Sequence, residues 1–227
     1  MKLPTVILVT GTDTGVGKTI TTAALTAALH ARGRKVAVYK PCQSGNVLGD
    51  SDCAEVARLA DPLTAEAGVV LEEPMAPVPA AALDGVTLPP LAAHAQRIRE
   101  LSVRHDHVLV EGAGGLLVEL DHDGGTLADL GAHLGDKAGF AVVARPALGT
   151  LNHTALTLEA LDTRGLPVVG LVLGSWPATP SAVELSNLAT LRSWSVPFLG
   201  TVPADASGLD PAVFGARACD WLEELPA

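Results

Sequence analysis

Aromatic side chains are scarce in this sequence: one Tyr, three Trp and three Phe amount to 3% of its residues. The 48% hydrophobic share is mostly Ala, Val and Leu, which disfavours an aromatic-rich β-sandwich and suits helices laid on a buried parallel sheet. Cysteine is sparse too. Cys42, Cys53 and Cys219 are odd in number and form no Cys-x-x-Cys pair, so they read as reduced thiols, and the first two, although beside candidate functional residues, read as placed by packing or chance. Positive charge is in deficit: 15 Lys and Arg face 25 Asp and Glu, for a formal net charge of -10. With no Lys/Arg run to offset it, such a surface repels nucleic acid. Long apolar runs are missing as well. None approaches the ~20 residues of a membrane span, and the run in "MKLPTVILVTG" is too short for a secretory leader and its cleavage site. These absences predict a cytoplasmic protein with no nucleic-acid and no membrane partner. The 227 residues suffice for one large core, so residues 1–227 read as a single domain.

What is present is an alternation of short apolar runs with longer helical segments. Strands are expected over 5–11, 35–40, 107–112, 139–144, 167–173 and 196–203. Helices are expected over 18–33, 50–61, 91–104, roughly 150–164 and in a closing segment from residue 212. Asp50 or Ser51 could cap the second of these. The stretch from Pro74 to Pro90 holds five prolines and reads as irregular, either a surface connection or a substrate-side lid. Strands joined through helices imply right-handed crossovers and a mostly parallel sheet covered on both faces. Ligands of such sheets collect at the carboxyl ends of the strands. In this chain those ends carry Gly11–Thr19, Lys40–Ser44, Glu111–Gly115 and Arg145–Asn152.

The first of these, "GTDTGVGKT", ends in the Gly-Lys-Thr of a phosphate-binding loop. The usual pattern puts a Gly and four further residues before that triplet; the expected position is Thr12, and the available Gly11 comes one residue early. A strand turning sharply into a helix presents unpaired N–H groups with the helix dipole behind them. Gly15 and Gly17 let that backbone approach phosphate oxygens without a Cβ in the way. Lys18 would reach the β- and γ-phosphates, and the Thr19 hydroxyl would bind Mg2+. A Gly-rich turn that binds nothing is the alternative, but Gly-Lys-Thr between a strand and a helix favours the cradle. The fold expected is a P-loop NTPase-like three-layer α/β/α domain.

Mg2+ takes one or two carboxylates beside phosphate oxygens and waters. Glu111 ends an apolar strand and runs into Gly112, Ala113 and Gly114; Asp52 follows the loop after the second strand. Either could ligate the ion, and either could instead cap a helix or pair with a lysine. Lys40 closes the second strand near the expected γ-phosphate. It could stabilise charge on a transferring phosphoryl group or a substrate carboxylate, or pair with a neighbouring acid.

Taken together these segments resemble the dethiobiotin synthetase family over nearly the whole chain. "VTGTDTGVGKT" is similar to that family's loop, early Gly included. "YKPCQSG", "SD" at 51–52, "VEGAGG", "EEPMAPVPAA" and "LGTLNHTALTLEAL" follow as segments similar to the family's own. The resemblance implies that Gly15, Val16, Gly17, Lys18, Thr19 and Ile20 hold the triphosphate of ATP or another nucleoside triphosphate. It implies that Thr19, Asp52 and Glu111 ligate Mg2+, with Gly112, Ala113 and Gly114 beside the nucleotide, and that Lys40 and Lys18 are catalytic. Thr14, Lys40 and Ser44 would face the diamine end of 7,8-diaminononanoate. Leu148, Gly149, Thr150 and Asn152 would meet its carboxylate tail across a homodimer interface. The implied reaction joins CO2, supplied as bicarbonate, to the diamine and closes the ring of dethiobiotin.

Two departures from the family's pattern stand out. Gly174 occupies a position where relatives often carry Asn to read the adenine edge, so Ser175 and the loop Pro203-Ala204-Asp205 would contact the base, with weak discrimination among nucleotides. Ala147 stands where some relatives have Lys near the tail carboxylate, which leaves that carboxylate to backbone N–H groups. His153, beside Asn152, reads as a packing or hydrogen-bonding residue at a helix start, and Trp176, Trp194 and Trp221 as packing. Two other classes share this loop type. A partition- or septum-positioning ATPase would carry an extra Lys in the loop, where Thr12-Asp13-Thr14 supplies none. A cobyrinic-acid type amidoligase would need ammonia, usually from a fused glutaminase.

Overall fold

The computed structural model describes residues 2–46, 51–62, 64–222 and 224–226. Seven strands form one parallel sheet: β1 (Val6–Gly11), β2 (Val36–Gln43), β3 (Thr64–Val70), β4 (His107–Gly115), β5 (Ala138–Ala144), β6 (Val168–Trp176) and β7 (Phe198–Pro203), in the order β3-β2-β4-β1-β5-β6-β7. The sequence reason is legible in β1, whose every residue is buried. Val6 and Leu8 enter one core cluster while Ile7 and Val9 enter the other. Side chains alternate across a strand, so a strand covered on both faces must be apolar throughout.

Helices α1 (Lys18–Ala31), α2 (Asp52–Ala60) and α8 (Pro211–Trp221) cover the face of Ile7 and Val9. The opposite face carries α3 (Pro77–Asp84), α4 (Leu91–Ser102), α5 (Leu127–Leu134), α6 (Thr150–Thr163) and α7 (Ala182–Arg192). Trp221 is a core residue, its ring edge-on to Phe214 at 5.1 Å between centroids. Ser51 caps α2 by accepting from the Ala54 N–H; the other expected cap, Asp50, lies outside the described residues.

The proline-rich stretch contradicts the expectation of irregular chain, because α3 lies inside it. Pro77 and Pro79 both fall in its first turn. The first N–H groups of a helix have no acceptor within it, so prolines placed there forfeit no hydrogen bond. Strand β3 and helices α5 and α7 are further elements beyond the sequence reading. Strand β2 also runs three residues past Lys40, through Pro41. Strand β4 pairs with β2 only up to Tyr39, and beyond it β2 follows β3 alone, with Cys42 opposite Val69.

Strand β1 lies between β4 and β5, with Gly11 opposite Gly115 on one side and Val143 on the other. The carboxyl ends of these strands therefore meet at the phosphate-loop segment.

Candidate nucleotide and metal site

The early glycine has a structural reason. A Cβ on Gly11 would stand 2.6 Å from the Asp13 carbonyl oxygen and 2.9 Å from Lys18 Nζ. The loop thus curls back over Gly11, and Lys18 Nζ donates to the Asp13 carbonyl at 3.1 Å. Gly17 then starts α1 with φ at 92°, a left-handed conformation with no side-chain cap, which leaves the helix's first N–H groups without a side-chain acceptor. Lys18 is buried, and that desolvation lowers its pKa from the ordinary lysine value although Glu111 pulls the other way. A buried ammonium in this position would be further stabilised by the charge of a phosphate.

Glu111 is 1% exposed and anchors a small network. Its Oε1 accepts from the Thr19 hydroxyl at 2.9 Å and from Lys40 Nζ at 2.8 Å. Lys40 Nζ also lies 2.5 Å from Asp52 Oδ2. Burial pulls the Lys40 pKa down, but Glu111 and Asp52 outweigh it and hold the ammonium above the usual lysine range. The structure thus shows the ion-paired reading of Lys40, with the residue also lining the cavity beside the loop. Gln43 joins the site unannounced: its amide oxygen accepts from Asp52 N at 3.1 Å and its amide nitrogen donates to the Ser44 carbonyl at 3.0 Å. Its position at the entrance to a Gly-containing polar loop carries no sequence signal for that role.

Thr19, Asp52 and Glu111 offer only oxygen donors and already hold a cation, the Lys40 ammonium, between the two carboxylates. That is the donor set of a hard ion that draws its remaining ligands from phosphate and water. Among the described residues there is no cluster of three or more His, Cys, Asp and Glu side chains suited to a metal, so an all-protein cage is not on offer. Burial pushes the Cys42 thiol up to about 12 and the Cys53 thiol up to about 11, which makes both poor nucleophiles at neutral pH and fits their reading as packing residues.

A cavity of about 590 Å3 opens over this network. Thr14, Gly15, Gly17, Lys18, Thr19, Ile20, Lys40, Ser44, Asp52, Glu111, Ala113, Gly114 and Ser175 all line it, so most of the expected site residues are brought together. Its far wall is apolar, built by Pro74, Met75, Ala76, Pro77 and Val118; the substrate-side reading of the proline segment has this much geometry behind it. Val16 and Gly112 sit behind the surface. The Val16 side chain is in the core, and a Cβ on Gly112 would strike Leu127 at 2.7 Å.

The base-side residues form a second group. Gly174 packs against the phosphate loop, since a Cβ there would fall 2.1 Å from the Val16 carbonyl oxygen. Ser175 follows with φ at 53°, and the Ala204 N–H donates to the Trp176 carbonyl at 2.8 Å, which ties Pro203-Ala204-Asp205 to the end of β6. The expected tail residues do not reach the cavity of this chain. Leu148 is 85% exposed, Asn152 is exposed, Gly149 starts α6 with φ at 93°, and the Thr150 hydroxyl turns inward to Thr154. His153 is exposed rather than packed.

The chain matches the AAA domain family over residues 5–211. It is 52% identical over 229 residues to the ATP-dependent dethiobiotin synthetase of Mycobacterium avium strain 104, covering 97% of this chain and 99% of that one. It is 47% identical to the enzyme of the same name from Streptomyces coelicolor, covering 96% and 91%. Among solved structures it resembles a septum site-determining protein from Pyrococcus horikoshii in complex with Mg-ADP (TM-score 0.63, 19% identity, 97% and 93% covered). It also resembles a cobyrinic acid a,c-diamide synthase from Mycobacterium smegmatis with bound ADP and magnesium (TM-score 0.59, 14% identity, 98% and 98% covered). At such identities the structural likenesses establish the P-loop fold alone, whereas the sequence matches run nearly end to end at about half identity: the chain belongs to the ATP-dependent dethiobiotin synthetase family of ligases.

Proposed function

We propose that the chain joins CO2 to 7,8-diaminononanoate at the expense of a nucleoside triphosphate and closes the ureido ring of dethiobiotin, with Mg2+ held by Thr19, Asp52 and Glu111. The observation that carries this reading is the pairing of Lys40 with Asp52 and Glu111 beside Lys18 at the mouth of one cavity. Mg2+, when bound, supplies charge neutralisation at the phosphate oxygens.

One substrate amine attacks CO2 and loses a proton to solvent, giving a carbamate. A carbamate oxygen attacks the γ-phosphorus, the bond to the β-phosphate bridging oxygen breaks, and ADP leaves a carbamic–phosphoric anhydride. The second amine then attacks the carbonyl and expels phosphate, with its proton passing to solvent. Two anions must meet in the first transfer, and ammonium groups fixed in a partly water-excluded site are suited to holding them together. The two carboxylates fix Lys40 for that task, Lys18 follows the phosphates, and the α1 N-terminus adds its dipole. No protein nucleophile is required, since positioning and electrostatics do the work. Thr14 and Ser44 face the diamine, and the apolar wall around Met75 accepts its alkyl chain.

The tail carboxylate is assigned to the N-terminus of α6 in a homodimer. Leu148 at 85% and Leu156 at 55% exposure are large apolar side chains that a second copy would cover. Three free cysteines suit a cytoplasmic setting; among the described residues no helix is long and apolar enough to cross a membrane. The test is incubation with Mg-nucleotide, bicarbonate and diaminononanoate, followed by mass spectrometry. Dethiobiotin formation that is lost in Lys40→Ala supports the assignment; nucleotide hydrolysis without that product refutes it.

A further inference from the structure

Residues Asp13 and Arg145 sit on adjoining strand ends and neither has a role in the chemistry above. Asp13 does three things at once. Its Oδ1 accepts the Thr14 N–H at 2.7 Å, its Oδ2 accepts from the Arg145 guanidinium, and its carbonyl receives Lys18 Nζ at 3.1 Å. The carboxyl is held below the usual carboxylate range, chiefly by the Thr14 N–H and then by Arg145.

Arg145 is itself built on a fixed base. It follows β5, whose seven residues are all buried. The next two carbonyls, of Pro146 and Ala147, both accept from the buried Asn187 amide nitrogen on α7, at 2.9 and 3.2 Å. A continuous polar line therefore runs from α7 through residues 145–147 to Asp13, and from Asp13 to the turn at Thr14 and the amine of Lys18. The segment between Gly11 and Gly17 is also anchored by the Thr12 N–H bonded to the Val143 carbonyl at 2.9 Å and by the buried Val16 side chain.

We propose that Arg145 is a positioning residue for nucleotide binding: its ion pair with Asp13 fixes the 12–14 turn and so sets where Lys18 rests before phosphate arrives. An arginine suits this use because its planar fork retains its charge and holds one geometry. The pair is half exposed, with side-chain exposures of 36% and 51%, so its effect is moderate. The inference takes the phosphate-loop assignment from the proposed function and does not depend on which amine is carboxylated.

The test is calorimetric titration of Mg-ADP into the whole protein, with steady-state kinetics alongside. Arg145→Ala and Asp13→Asn are each expected to weaken Mg-ADP by about two- to fivefold, the scale of a half-exposed ion pair. KM for nucleotide should rise in step while kcat changes less. Arg145→Lys should recover part of the loss, and the double variant should be no weaker than the worse single, because both remove one interaction. Additive losses in the double variant overturn the proposal. So does a lowered melting temperature with unchanged Mg-ADP affinity. A rise in KM for diaminononanoate alone also overturns it, since Arg145 would then be reading the substrate carboxylate. Normal Mg-ADP binding without dethiobiotin formation would refute the proposed function and leave this inference standing.

Discussion

Helices α1 and α6 have the same length, 14 residues, and the same start, a glycine with φ of 92° or 93° after a buried strand and no side-chain cap. Their strands, β1 and β5, are neighbours. They differ in what surrounds them. Ten residues of α1 are buried, between the sheet and helices α2 and α8. On α6 only Thr150, Thr154 and Leu161 are buried, and Leu156 stands 55% exposed. An identical local device has been completed within the chain at one site and left open at the other. At the first helix end this chain's own Lys18, Thr19 and Glu111 stand together on one cavity; beside the second, Leu148 and Leu156 are exposed. On the proposed function a single chain suffices for the phosphates, and a second copy is needed at the tail.

The largest test of this contrast falls on the closed end. Lys40→Ala leaves Asp52 and Glu111 facing each other without the ammonium that now lies 2.5 and 2.8 Å from them. Loss of a preorganised charge of this kind costs roughly 10²- to 10³-fold in kcat, and single-turnover measurement of dethiobiotin should show at least that. Lys18→Ala should in addition abolish measurable Mg-ADP binding in the calorimeter. Neither variant should alter the oligomeric state, because both act inside one chain.

The open end breaks differently. The carboxylates introduced by Leu148→Asp together with Leu156→Asp should convert the proposed dimer to a monomer in analytical ultracentrifugation. KM for diaminononanoate should rise at least about tenfold, the worth of ~1.4 kcal/mol of lost contact, while Mg-ADP affinity stays as it was. Were the unmutated protein to sediment as a monomer, the bare face of α6 would lose its explanation as a dimer surface.

The two starting glycines sharpen the comparison further. Left-handed backbone costs a non-glycine residue ~1–2 kcal/mol, so Gly17→Ala and Gly149→Ala should each lower the melting temperature by several degrees. Around Gly149 a Cβ meets nothing within 4 Å, whereas around Gly17 it meets Ser175 Oγ at 3.1 Å and Gly174 Cα at 3.3 Å. Gly17→Ala should therefore show the larger fall and also weaken Mg-ADP, with Gly149→Ala leaving nucleotide binding intact.

The closed region is also the more legible one in sequence. Gly-Lys-Thr, Glu111 after its apolar run and Lys40 each carry a chemical reason for their position, and the structure gathers them, with β4 running on past Glu111 to Gly115. The missed elements have equally physical causes. Strand β3 is an edge strand of Thr-Ala-Glu-Ala-Gly-Val-Val, poor in β-formers, and its Gly68 is demanded by the Tyr39 hydroxyl 2.4 Å from a would-be Cβ. Helix α5 contains Gly131, which exists to admit the Phe140 ring and disguises the helix. Yet α5 and α7 both open with reciprocal capping boxes, Thr126 with Asp129 and Ser181 with Glu184. For α7 the Ser-x-x-Glu spacing is there to be read in the sequence. The Asp13–Arg145 pair is not, because nothing local links residues 132 positions apart.

The smallest expected effect concerns the base. An Asn at the position of Gly174, expected from the family resemblance, could offer an amide to adenine; in this chain the space for a side chain is filled by the phosphate loop itself, with the Val16 carbonyl 2.1 Å from any Cβ. The Ala204 N–H is already spent on the Trp176 carbonyl, which leaves Ser175 and the remaining backbone of residues 203–205 to meet the base. A lost side-chain hydrogen bond is worth ~0.5–1.5 kcal/mol, so kcat/KM for ATP, CTP and GTP should fall within about tenfold of one another. Gly174→Asn should not restore an adenine preference. It should lower affinity for all three nucleotides together, because the new Cβ pushes Val16 and with it the loop. A variant that gained selectivity for ATP at unchanged phosphate affinity would mean that the loop yields at Val16, and that Gly174 records a choice of base rather than a requirement of packing.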